Sequence, residues 1–198
     1  MADPSYIVDG VLTDGEAWVA VASTTLGSDT ASITFTSTDD GQVGDFSQYM
    51  DLVAICYLRG ASGSATRMLE MTFNGDNTGS HYAVQRLMGD GTSVSAGISA
   101  EEFAAQILIA DGAGANIFQA VIVNYHDINS GKFKTALIQS AGDWDSGAPD
   151  PTAGQVEINA FTWKSQAAVT SILFRPDSDN FLAASRIDLF GVLPRMVA

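Results

Sequence analysis

The chain has 198 residues, 46% hydrophobic and only 16% charged, with 19 glycines. That is enough apolar sequence for one sandwich or barrel with a substantial core, and too much for a disordered chain. A net charge of −14, from 23 acidic against 9 basic residues, argues against a nucleic-acid partner bound through clustered Lys and Arg. No apolar run approaches the ~20 residues that span a bilayer, so no membrane partner is expected either. Acidity fits either plain solubility or a surface that faces solvent on the outside of an assembly.

Residues 1–15 are polar and broken by Pro4 and Gly10, apart from Tyr6, Ile7 and Val8. They read as an arm leading into a single domain over residues 16–193. The start lacks the basic segment and apolar run of a signal peptide, so synthesis in a cytoplasm is expected. Residues 17–25 predict a first strand with Trp18 packed, and residues 31–36 a second with Ile33 and Phe35 inward. Residues 52–58 are apolar on both faces: Leu52, Ala54, Cys56 and Leu58 on one, Val53, Ile55 and Tyr57 on the other. Such a strand belongs mid-sheet, beneath a second layer or a subunit contact. Cys56 is the only cysteine, so no intrachain disulfide forms, and it reads as a small core residue.

Residues 67–91 read as a β-hairpin. Leu69, Met71 and Phe73 alternate with Glu70 and Thr72, a long turn follows from Asn74 to Ser80, and Tyr82 and Val84 share a face on the return. The turn is too long for a two-residue type and has to hold itself together through its own side chains. Residues 92–110 divide into one helical turn, from the capping-box spacing of Ser99 and Glu102, and a strand over 106–109. Residues 117–125 and 132–140 predict a second hairpin, with Phe133, Thr135 and Leu137 inward and Lys132 and Lys134 in water. The stretch 141–154 is a loop. Residues 155–163, 169–175 and 186–192 complete nine or ten strands, and residues 194–198 trail off beyond Pro194. The pattern predicts an all-β chain, a single β-sandwich with at most one short helix.

Chemistry is sparse. No Gly-x-Ser-x-Gly elbow is present, and the two histidines, His81 and His126, lie at strand ends. Two His and one Cys in separate elements do not make a zinc site. Asn74, Asp76 and Asn77 offer oxygens at alternating positions, but without the distal Glu of a calcium loop, and side-chain-to-backbone turn bonding explains them better. Gly89-Asp90-Gly91 and Gly112-Ala113-Gly114 lack the rest of a phosphate loop. Asp143 and Asp145 flank Trp144, which suits a protein interface, a core cap or a sugar platform. The sequence thus predicts no catalytic, metal or cofactor-binding residue, and no enzyme.

The segment LEMTFNGDNTGSHYAVQRLMGDG resembles a pattern recurring in virion structural proteins of tailed bacteriophages. In that pattern an apolar strand ends in Phe-Asn-x-Asp, passes a Gly-Ser turn and continues through an aromatic to a Leu-x-Gly-x-Gly stop. YMDLVAICYLRG before it, and YHDINSGKFKT and RIDLFGV after it, agree more thinly, and Asn77 lengthens the turn by one residue relative to the pattern. The resemblance implies a jelly-roll-like sandwich and a virion protein made in the host cytoplasm and carried on the outer surface of the particle. A lone domain with short arms and no fibre repeat suits a head decoration (cement) protein that bridges major capsid protein subunits. A tail-fibre or baseplate component that binds the host surface is the alternative. A homotrimer is expected, with apolar residues near its axis. Contacts to neighbours are expected from Tyr6, Ile7 and Val8 in the arm, from Trp144, and from Met196 and Val197 in the tail.

Overall fold

Two antiparallel sheets pack face to face in the computed structural model, which describes residues 7–8, 11–12, 18–38, 44–100, 103–114, 116–143 and 154–193. The larger sheet has eight strands. In spatial order they are β3 (Trp18–Thr25), β14 (Arg186–Val192), β5 (Asp51–Leu58), β10 (Gln119–His126), β11 (Lys134–Asp143), β12 (Gly154–Trp163), β7 (Tyr82–Gly89) and β8 (Val94–Ala100). The smaller has four, β4 (Ile33–Thr36), β13 (Ser171–Pro176), β6 (Thr66–Phe73) and β9 (Ala104–Ile109). A separate ribbon pairs β1 (Ile7–Val8) with β2 (Val11–Leu12) inside the arm. The fold is the expected all-β sandwich.

Each of the four small-sheet strands is entered from the large sheet and left toward it, so the described chain crosses the sandwich eight times. β3 pairs with β14 and β4 with β13, the nested first-to-last pairing of a rolled sheet. The meander β10–β11–β12 departs from that nesting.

Alternation sets the core. Leu52, Ala54, Cys56 and Leu58 of β5 face inward and are buried, as are Ile33 and Phe35 of β4. Phe73 of β6 sits among Tyr125, Phe161 and Trp163 at ring separations of 5.6, 6.1 and 5.3 Å. Edge-on and tilted aromatic packing of this kind adds to simple area burial. Burial raises the pKa of the Cys56 thiol, which behaves as the core residue expected.

Four expectations are corrected. The stretch 67–91 is not a hairpin: β6 lies in the small sheet and β7 in the large one, and the residues between them form a corner that crosses the sandwich. The helical turn expected from Ser99 does not start there: Ser99 and Ala100 are strand residues paired with Val84 and Ala83, and residues 101–102 lie outside the described residues. Trp18 is half exposed, with its ring tilted against that of Phe190 at 6.1 Å between centroids. The faces of β11 are reversed: Lys134, Ala136 and Ile138 point inward, while Phe133 and Leu137 are exposed. Lys134 is tolerated inside because its ammonium donates to the Ser130 and Lys132 carbonyls of the preceding turn. Burial lowers its pKa.

The corner does hold itself together. Asn74 takes a left-handed backbone, φ 54°, a conformation asparagine tolerates better than most residues. Its Oδ1 accepts from the Thr170 and Ser171 amides at 2.7 and 3.1 Å, tying the corner to β13. Asp76 accepts from Trp163 Nε1 at 2.8 Å, from the Thr78 amide at 3.0 Å, and sits 2.7 Å from His81 Nδ1. Burial works against ionisation, but those hydrogen bonds outweigh it and hold the Asp76 carboxyl down at about 2. The Asn74 and Asp76 oxygens that suggested calcium therefore meet protein donors, and Asn77 donates through Nδ2 to the Gly75 carbonyl. The Phe-Asn-x-Asp portion of the motif is the machinery of a sheet crossing.

Candidate interaction face

Strand β12 has its polarity inside out over its first half. Gln155, Glu157 and Asn159 point between the sheets and are buried, while Val156 and Ile158 between them point to solvent. The normal pattern returns at Phe161 and Trp163, which are buried. The inversion spreads sideways. Register places Glu157 beside Ser140 of β11 and Asn159 beside Arg86 of β7, so the polar side chains form one layer. Glu157 is only 1% exposed. It accepts from Arg86 Nε at 2.6 Å, Gln155 Nε2 at 3.2 Å, Asn159 Nδ2 at 3.0 Å and the Ile107 amide at 3.1 Å. Gln119 Oε1 accepts from the Ile109 amide at 3.0 Å, and Asn159 Nδ2 also reaches the Ala105 carbonyl.

These bonds explain why polar residues sit inside. β9 is an edge of the small sheet, and its outward amides would otherwise be buried without partners, at a cost of about 1–3 kcal/mol each. Side chains from β10 and β12 take the place of a missing neighbouring strand. A buried carboxylate survives only when paired and hydrogen-bonded, and Glu157 is both.

The outer face plays no such structural role, and it is nearly uncharged and largely apolar. Across β10, β11, β12 and β7, Ile122, Leu137, Val156, Ile158 and Leu87 are all exposed, Val156 at 60% and Leu87 at 50%. Ile158 lies opposite Leu87, Gln139 lies between Ile122 and Ile158, and Leu87 continues to Ala96 of β8. Among the described outward positions from β10 to β8, the only carboxylate is Asp143, at a strand end, and there is no Lys or Arg. A shallow groove lined by Ala120, Ile122, Gln139, Val156 and Ile158 runs along it. Five strands about 4.8 Å apart and three rows of side chains about 7 Å apart make a face on the order of 500 Å². That is near the top of what soluble monomers expose without a partner, roughly 300–600 Å².

Strand β5 of the same sheet is better covered on its outer side, although Tyr57 stays 48% exposed. On β5, Val53 is buried, Ile55 half-buried, and Tyr57 stacks on Phe118 at 5.1 Å. The strand that is apolar on both faces is thus mid-sheet as expected, and the uncovered surface lies further along the same sheet.

Of the residues expected at contacts, Ile7 and Val8 form β1 and pair with Leu12 and Val11. Tyr6, Trp144, Met196 and Val197 lie outside the described residues, as does Asp145. His81 and His126 are held near Asp76 and Asp51, at 2.7 and 3.7 Å, on separate elements. The exposed residues of β10–β7 were not picked out from sequence, although Val156 and Ile158 alternating with Gln155, Glu157 and Asn159 is a visible signal. Comparison with protein-family models, with curated proteins and with solved structures finds no match.

Proposed function

We propose that the protein is a non-enzymatic structural component of a tailed-bacteriophage particle, a head decoration protein that seats the outer face of its large sheet on a neighbouring virion protein. The resemblance of residues 69–91 supplies the particle, and the inside-out half of β12 supplies the contact. An acidic chain that buries a glutamate while exposing Val156 and Ile158 keeps its uncharged surface for something other than its own core. Fully buried interface centres are likewise apolar and depleted in charge. Binding only to the assembled shell stabilises that shell by mass action. Major capsid protein subunits are the proposed partner, with three copies of this chain meeting around an axis in the arrangement the resemblance implies. No cofactor is needed.

The test is location on the particle. Labelled antibody against the protein, imaged on intact virions, should decorate heads. Label confined to tails would replace this reading with a fibre or baseplate role, and particles free of label would end both. Val156→Lys with Ile158→Lys should leave the isolated domain folded and remove it from particles.

A further inference from the structure

The two outermost strands near this face end their sheets differently. β9 has its free amides taken by Glu157 and Gln119, whereas β8 has nothing along its outer side among the described residues. Every described side chain of β8 is exposed, with Val94 at 78% and Ile98 at 82%. Edge strands of soluble proteins are usually blunted by a Lys, a Pro, a bulge or a covering loop, because a bare edge is a template for another strand. The β8 sequence, Val94-Ser95-Ala96-Gly97-Ile98-Ser99-Ala100, has no charge and no proline, and its pairing with β7 is free of register shifts. The opposite edge of the same sheet is partly shielded, since the Gly44 amide donates to the Val21 carbonyl of β3.

We infer that β8 is a docking edge for a second copy of this chain, pairing antiparallel with the β8 of that copy about a twofold axis through Gly97. The sequence is self-complementary in that register. Gly97 falls opposite Gly97, Ser95 opposite Ser99, Ala96 opposite Ile98 and Val94 opposite Ala100. Serine meets serine and apolar meets apolar, and each off-axis pair occurs twice, once on either side of the axis, as in any isologous contact. Two chains of charge −14 approach through a strand that carries none, so no carboxylates are forced together at the pairing itself. The outward row of Val94, Ala96 and Ile98 continues from one copy to the other, joining the two apolar faces into one surface. A seven-residue edge is roughly 24 Å long and a sheet about 10 Å deep, which buries on the order of 500 Å² in total. Stable complexes bury ~1,200–2,000 Å², so the pair is weak in free solution and strengthens where a scaffold holds copies close together. This inference is carried by the strand edge and does not depend on what the outer face binds.

Disulfide trapping reads the register directly. A Cβ built at Gly97 meets nothing within 4 Å, so Gly97→Cys fits the free domain, and the only native thiol, Cys56, is buried. Residues directly opposite in antiparallel strands have Cα atoms ~4.5–5.5 Å apart, within the span of a disulfide. Under mild oxidation at high protein concentration, Gly97→Cys should give a covalent dimer. Ser95→Cys should give several-fold less, because two copies of position 95 lie roughly 14 Å apart in this register. The double change Ser95→Cys with Ser99→Cys should restore the covalent link, and Gly97→Lys should abolish the concentration-dependent rise in mass expected in light scattering. Thermal unfolding under reducing conditions checks that each variant is folded. Equal trapping at 95 and 97, no trapping at either in folded protein, or a three-copy species that Gly97→Cys fails to link would each overturn the inference.

Discussion

The two halves of β12 lie side by side in one strand and follow opposite rules. From Gly154 to Asn159 the polar side chains are inside and the apolar ones outside; at Phe161 and Trp163 the aromatics are inside. The difference comes from what each half faces. Phe161 meets the rings of Phe73 and Tyr82, which call for an apolar neighbour. Gln155 to Asn159 meet β9, an edge whose amides and carbonyls need partners. One half therefore builds core, and the other half completes a sheet with side chains and leaves its apolar residues exposed.

Substitutions can set the two halves against each other. The largest effect is expected from Phe161→Ala, which empties a wholly buried ring site and should cost about 3–5 kcal/mol in denaturant unfolding. Glu157→Ala should cost about 3 kcal/mol, since it strands Arg86 and the Ile107 amide together. A neutral result there would mean that the polar layer is dispensable and the two halves are not different in kind.

Acid should discriminate next. Asp76 clamps Trp163, at the aromatic end, and its folded pKa of about 2 lies below the ordinary 3.8. A depressed carboxyl stabilises above its unfolded pKa and loses that contribution as pH falls through the folded one. Wild type should lose about 1–2 kcal/mol between roughly pH 4 and 2 from this group, and Asp76→Asn should flatten that part of the stability profile. The smallest effect on folding belongs to the outer face. Val156→Ser or Ile158→Ser should change stability by no more than ~0.5 kcal/mol. A loss comparable to that of Phe161→Ala would show these side chains serving the domain itself.

The period-two alternation located nearly every strand, from residues 52–58 to 186–192, because backbone pleating forces neighbouring side chains to opposite sides. It misassigned β11, where Leu137 was expected inside and Lys134 outside. That error and the exposed face are one fact: where a sheet has a second apolar side, hydrophobicity no longer marks the core. The corner at residues 74–81 was legible in its bonding and illegible in its direction. Asn, Gly and Asp serve a hairpin and a sheet crossing equally, and only β13 and Trp163, about ninety residues on, decide which.

By itself the sequence determined an all-β chain, most of the strand positions and part of the aromatic core, Phe35, Phe73 and Tyr82, since these follow from local alternation and turn chemistry. Only the tertiary structure decided which sheet each strand joined and which face of β11 and β12 was covered. Alternation defines two faces without naming the buried one. That choice was made by the unsatisfied edge of β9, which drew Glu157, Asn159 and Gln119 inward and turned Val156 and Ile158 out.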